Sequence, residues 1–267
     1  MNKYLGEKTM LFEDKEVNLM ENFRFVPPQE IFLVSDDEET VAIFHSIYDE
    51  SQWKNWIDAS YKDAPPPDFY NDTQHLMLEV MRVDDHGFKK KGKVRNPNYE
   101  RQRKLANELR DIGVMEAYPN LQHVMINAVT DLPTLEDHNY RYYKENFIRI
   151  IEHHKQRISL YRKNHPGCKL IFFVYDESSA YFEAERETNV FSDEGEAGRP
   201  HEWFFDKAFL DVFIGSDIDY FVWFTPYKLF QCVEAPISLP QVCVYRCNSI
   251  PNEQIEYNPS HMVSSEE

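Results

Sequence analysis

Two carboxylates, Asp68 and Glu79, are the side chains of this 267-residue chain whose type and spacing best suit chemistry. The stretch that carries them, residues 65–83, reads PPPDFYNDTQHLMLEVMRV. Its three prolines end whatever helix precedes them, because proline has no amide donor and biases the residue before it toward extended geometry. Phe69 and Tyr70 favour a strand, Asn71-Asp72-Thr73 is turn chemistry, and His75 to Val83 is an apolar run broken only by Glu79 and Arg82. The expectation is two short strands joined by a tight turn, with Asp68 opening one and Glu79 in the middle of the other. A lone ionised Glu buried in LMLEVM is costly unless a cation or hydrogen-bond donors meet it, so Glu79 needs a partner. Carboxylates on neighbouring strands supply the hard oxygen ligands that Mg²⁺ prefers, and such an ion activates water for phosphodiester hydrolysis.

The pattern PDFY, a short turn, then an apolar strand carrying Glu resembles the core of the PD-(D/E)xK, or restriction-endonuclease-like, superfamily, nearest its very-short-patch-repair branch. The resemblance covers roughly residues 60–130. It implies that Asp68 and Glu79 jointly hold Mg²⁺ or Mn²⁺ beside a scissile phosphate in DNA. A basic glycine-containing loop, a charged helix from Tyr99 to Ile112 with Gly113 as its C-cap, and a strand from His123 to Val129 continue the likeness. Where the motif expects lysine two places after Glu, this chain has Met81. Lys104, on the charged helix, is the candidate catalytic replacement. The Lys89-Lys90-Lys91 cluster could also fold back, whereas Arg82 faces away from Glu79 in a regular strand. Asp84, Asp85 and His86 could add ligands or a base, and read more simply as a loop entry.

The formal charge is −17, which argues against a protein that coats nucleic acid with its whole surface. The charge is uneven. Residues 86–110 hold nine Lys or Arg against two Glu, a local +7 that leaves −24 for the remainder. Contact with DNA is therefore expected there, through Lys89, Lys90, Lys91, Lys93, Arg95 and Arg101. The acidic remainder supports an alternative of another class. The chain could be a catalytically inactive nuclease-fold module, an adaptor or inhibitor that presents carboxylates to a nucleic-acid-binding protein, as in phage or mobile-element conflict.

No run of about 18 apolar residues exists to span a membrane, and the four cysteines lack paired CxxC spacing, so a reduced, cytoplasmic setting is expected. The fold expected is α/β, a mixed central sheet flanked by helices in a single packed unit. Its nuclease-like core lies at about 50–130, a helix-strand extension at about 134–250 and a polar, frayed tail at 252–267. IFLVS at 31–35 and VAIFHSI at 41–47 read as a hairpin, followed by a helix through Lys62 with Trp53, Trp56, Ile57 and Tyr61 on its apolar face. On that helix Glu50 and Asp58 are further carboxylates, chiefly for solvent.

Thr134 to Asp137 resembles a capping box opening a helix to about Lys163, with an apolar stripe of Tyr140, Tyr143, Phe147, Ile150, Ile151, His154, Ile158 and Tyr161. His153 and His154 read as core or surface residues rather than metal ligands. Strands are expected at 169–177, 219–227 and 241–247, with a helix at 201–215. Asp176 and Glu177 end the first of these strands. There they would cap the next segment or join a cation site at the sheet's carboxyl end.

Overall fold

The structure is a computed structural model that describes residues 16–61, 64–85, 138–185, 198–228 and 239–265, the backbone of strands 88–90 and 93–95, and scattered helical-turn residues between 104 and 117. Its frame is a seven-stranded mixed sheet in the order β1-β11-β10-β7-β4-β3-β2. In chain order come α1 (Glu16–Arg24), β1 (Ile31–Leu33), α2 (Glu38–Tyr48), α3 (Glu50–Trp53), β2 (Ile57–Asp58), β3 (Phe69–Asn71) and β4 (Leu76–Val83). The ribbon β5 (Phe88–Lys90) and β6 (Lys93–Arg95) follows, then α4 (Tyr140–Lys155), α5 (Ile158–Asn164) and β7 (Lys169–Asp176). The last part holds β8 (Tyr181–Ala184), β9 (Gly198–Pro200), α6 (Lys207–Leu210), β10 (Tyr220–Phe224), β11 (Val242–Arg246) and β12 (Met262–Ser264). Strands β4, β7 and β10 run parallel; β2, β3 and β4 form an antiparallel meander at one edge, and β1 lies parallel to β11 at the other.

Both faces are covered, which is why the central strands are apolar almost throughout. On one face Met77, Met81, Phe172, Val174, Phe221 and Trp223 pack beneath α4 and α5. On the other, Leu78, Val80, Ile171, Phe173 and Val222 meet α1 and α2 through Phe23, Ile43, Phe44 and Ile47. The mixed sheet flanked by helices is as expected.

Several elements differ from their sequence reading. Residues 41–47 are helical, within α2, and not a strand. Asp37 caps this helix by accepting from the Thr40 amide at 3.1 Å, and Ile43, Phe44 and Ile47 then fall on one helical face. Helix α3 stops at Trp53, and Ile57 and Asp58 pair with β3, leaving Tyr61 65% exposed. Residues 201–215 hold only a 3₁₀ turn, the four-residue α6 and turns, because Asp206 accepts from the Ala208 amide and restarts the helix there. The tail is tied in: Met262 to Ser264 pair with β8, and Val263 and Ser264 are buried.

The long helix begins at Asn139, whose side chain accepts from the amides of Arg141 and Tyr142; the expected cap at 134–137 lies outside the described residues. Asn139→Ala is expected to lower stability by about 1 kcal/mol, and Tm by about 2–4 °C, in a thermal melt followed by circular dichroism. An unchanged Tm would show that this cap contributes nothing. The helix also breaks before Lys163. At Arg157 the amide bonds to the carbonyl of His154, three residues back, so the chain tightens for one turn before α5 resumes.

Candidate functional site

The expected hairpin forms. Phe69 pairs with Leu78, Tyr70 with Met77 and Asn71 with Leu76, and Asn71 Oδ1 accepts from the Gln74 amide to set the turn. One further step of this register puts Asp68 opposite Glu79, where facing Cβ atoms lie about 5 Å apart. Asp68 is pinned from two sides: its Oδ2 accepts from the Val80 amide at 2.8 Å, and its carbonyl accepts from the Ala59 amide at 2.7 Å. The proline-rich entry is held by Asn164 Nδ2, which donates to the Pro66 carbonyl at 2.6 Å.

Glu79 points under the junction of α4 and α5 and is 2% exposed. Its Oε1 accepts from Tyr161 at 2.7 Å, lies 2.8 Å from His154 Nδ1 and takes a longer contact, 3.4 Å, from Arg157 Nη1. Burial, then the charge of Glu79, hold the Tyr161 phenol well above its usual range, so it remains a donor. The other oxygen, Oε2, is buried with no hydrogen-bond partner. Burial first, and then repulsion from Glu79, push the Asp68 carboxyl up to about 8; Glu16 adds to the repulsion and Arg157 opposes it. The two carboxylates are thus close, unfavourable together and incompletely satisfied.

No family model, curated protein or solved structure matches this chain.

Among the described residues no group of three His, Cys, Asp or Glu is disposed to hold a metal, so an ion at this pair would complete its shell with water and substrate oxygens. Lys104 has a 78% exposed side chain and pairs with Glu108 at 3.8 Å, whereas the basic side chains beside Glu79 are His154 and Arg157. Described residues of the charged helix, at 104–105, 108–109 and 111, are helical, and Gly113 has a φ of +74°. Lys89, Lys90, Lys93 and Arg95 lie on the antiparallel ribbon, with Lys90 paired to Lys93. Lys91, Arg101, His86 and the expected strand at 123–129 lie outside the described residues. Glu50 pairs outward with Arg24 and Lys54, Asp58 accepts from Ser60, and Arg82 is bidentate to Glu177 on the opposite sheet face.

Asp85 lies six residues after Glu79, just past the end of β4 and about 20 Å away, and belongs to a second set of buried polar groups. Its Oδ2 accepts from the Ser179 amide, the Ser179 hydroxyl and Tyr181. Asp176 caps as expected, accepting from the Ser178 amide at 2.9 Å, but it also accepts from Tyr143 at 2.5 Å and Trp223 Nε1 at 2.9 Å. Lys228 Nζ lies 3.7 Å from Asp176 and donates to the Ser178 hydroxyl and the Ser179 carbonyl. Burial lowers the pKa of Lys228, against the pull of Asp176 and Asp85. This second set buries Asp85, Asp176 and Lys228 in the core, and His138 Nδ1 lies 3.3 Å from Asp85 Oδ1 at its margin.

Sequence reasoning missed Arg157 and the role of His154 and Tyr161. Tyr161 and His154 stood in the apolar stripe, and a polar-tipped member of such a stripe, facing a buried acid on the sheet below, was the available signal.

Proposed function

We propose that the chain is a metal-dependent nuclease-like protein, with Asp68 and Glu79 holding a Mg²⁺ or Mn²⁺ ion beside a phosphodiester of DNA. The observation that carries this reading is the buried, unpartnered Oε2 of Glu79 next to a carboxyl group pushed up to about 8. A divalent cation there would relieve the repulsion and satisfy the orphaned oxygen. Two protein carboxylates are enough, because Mg²⁺ commonly keeps several waters and takes its remaining ligands from phosphate. A restriction-endonuclease-like core is supported by the hairpin at the sheet edge and the crossover helices covering the face that bears both acids.

When bound, the ion polarises the phosphoryl group and lowers the pKa of an attacking water. The chain's own residues orient the carboxylates: the Val80 amide fixes Asp68, and Tyr161 and His154 fix Glu79 from the helices above. In the net reaction a water oxygen bonds to phosphorus, the ester P–O bond breaks, and one proton passes from the water to the leaving oxygen. The cations of residues 86–110 suit contact with the DNA backbone.

Binding of Mn²⁺ as a function of pH tests the site. The ion requires ionised Asp68, so between pH 6 and 8 the Kd should fall about tenfold per pH unit, then level off above 8. Stability of the metal-free chain should run the other way. The folded state keeps a proton that the unfolded chain releases near pH 4, so stability declines as pH rises from about 4 to 8. Asp68→Asn should flatten both profiles. A wild-type chain that binds no Mn²⁺, or binds it equally well at pH 6 and 8, would rule the site out.

A further inference from the structure

We infer that Arg157 supplies the positive charge that meets the phosphate at the Asp68 and Glu79 pair, an assignment that rests on the metal reading above. Phosphodiester hydrolysis builds negative charge on the non-bridging oxygens, and two carboxylates with one divalent ion leave little positive charge to meet it. The position two residues after Glu79 cannot provide it. Met81 carries no charge; it is 2% exposed and packs in the core cluster with Tyr143, Phe147 and Val174.

Arg157 arrives from the other direction, on the tightened turn between α4 and α5. Its contact to Glu79, 3.4 Å, is the longest of the three on that oxygen, and its side chain is 40% exposed against 18% for His154. It lies over the Tyr161 ring, 5.5 Å from the centroid, and its charge acts on Asp68 as well as on Tyr161. Only Nη1 makes a hydrogen bond among the described residues, so Nε and Nη2 remain available as a planar pair of donors. That pair matches two oxygens of one phosphate, and the partly exposed head can turn from Glu79 to an incoming anion.

The test compares wild type, Arg157→Ala, Arg157→Lys and Glu79→Gln in two measurements, Mn²⁺ binding and single-turnover cleavage of duplex DNA. Arg157→Ala is expected to bind Mn²⁺ as tightly as wild type or up to tenfold more tightly, since a competing cation has gone, yet to cut about 100-fold more slowly. Arg157→Lys should fall between, and free guanidinium ion should restore part of the cutting by Arg157→Ala, which a purely structural arginine would not permit. Cutting by Arg157→Ala within threefold of wild type overturns the inference alone. So does loss of its Mn²⁺ binding, because Arg157 would then be holding the carboxylates in place. Failure of wild type to bind Mn²⁺, or equal binding by wild type and Glu79→Gln, overturns the metal reading and this inference together.

Discussion

Glu79→Ala should reduce Mg²⁺- or Mn²⁺-dependent cutting of DNA by roughly 10³-fold or more, the scale expected when a group acting directly on the reacting centre is removed. The substitution deletes the acceptor that Tyr161, His154 and Arg157 share. A loss of activity must therefore be separated from a loss of fold. Glu79→Gln serves for this, since it keeps the shape and one acceptor oxygen while removing the charge that would hold the ion. If both variants melt as wild type does and neither cuts plasmid, linear duplex, single-stranded DNA or RNA, the hairpin is the working site. If wild type itself cuts none of these with either metal, the isolated chain is not a nuclease. The acidic adaptor or inhibitor reading would then direct the search to a basic protein partner whose binding weakens with salt.

Asp176→Ala should be the most damaging single change to stability outside the hydrophobic core, at about 3–5 kcal/mol. Asp176 is fully buried and accepts from Tyr143, Trp223 and the Ser178 amide, with the Lys228 ammonium 3.7 Å away. Truncation leaves three donors without their acceptor and a buried cation without its counter-charge. Lys228→Met should cost much less, because Asp176 keeps its three uncharged donors and a flexible apolar side chain fills the space. Urea unfolding would register the contrast as a large drop in midpoint for the first variant and a small one for the second. Equal midpoints for Asp176→Ala and wild type would show that the network contributes little net stability.

The elements legible in the sequence were those with a single dominant signal. Strands at 169–176, 220–224 and 242–246 are built on the apolar runs LIFFVY, YFVWF and VCVY, rich in β-branched and aromatic residues, and the stripe from Tyr140 to Tyr161 repeats at three and four residues on the covered face. The hairpin announced itself through proline, aromatic residues and a turn. Residues 41–47 misled because VAIFHSI has strand-like composition, while the deciding feature was the Asp37 cap four residues upstream. The Asp68 and Glu79 pair could be read locally because one register step joins them. The partners of Glu79 could not, since His154, Arg157 and Tyr161 lie more than seventy residues away in sequence and reach it only after α4 crosses the sheet. Nor does any glycine or proline mark the tightened turn at Arg157.

The first part of the chain has a mechanical role. Strand β2 begins at Ile57, only 24 positions after β1 ends at Leu33, yet the two form opposite edges of the seven-stranded sheet. Six interstrand spacings separate them, about 29 Å. Helices α2 and α3 cross the back of the sheet between these edges, so this segment works as a tie-bar anchored at both ends. Neither edge can peel away by itself without stretching or unwinding α2. Force applied at β1 is carried across to β2, and so to the strand beside Asp68, which makes the rigidity of the carboxylate pair a property of the whole width of the sheet.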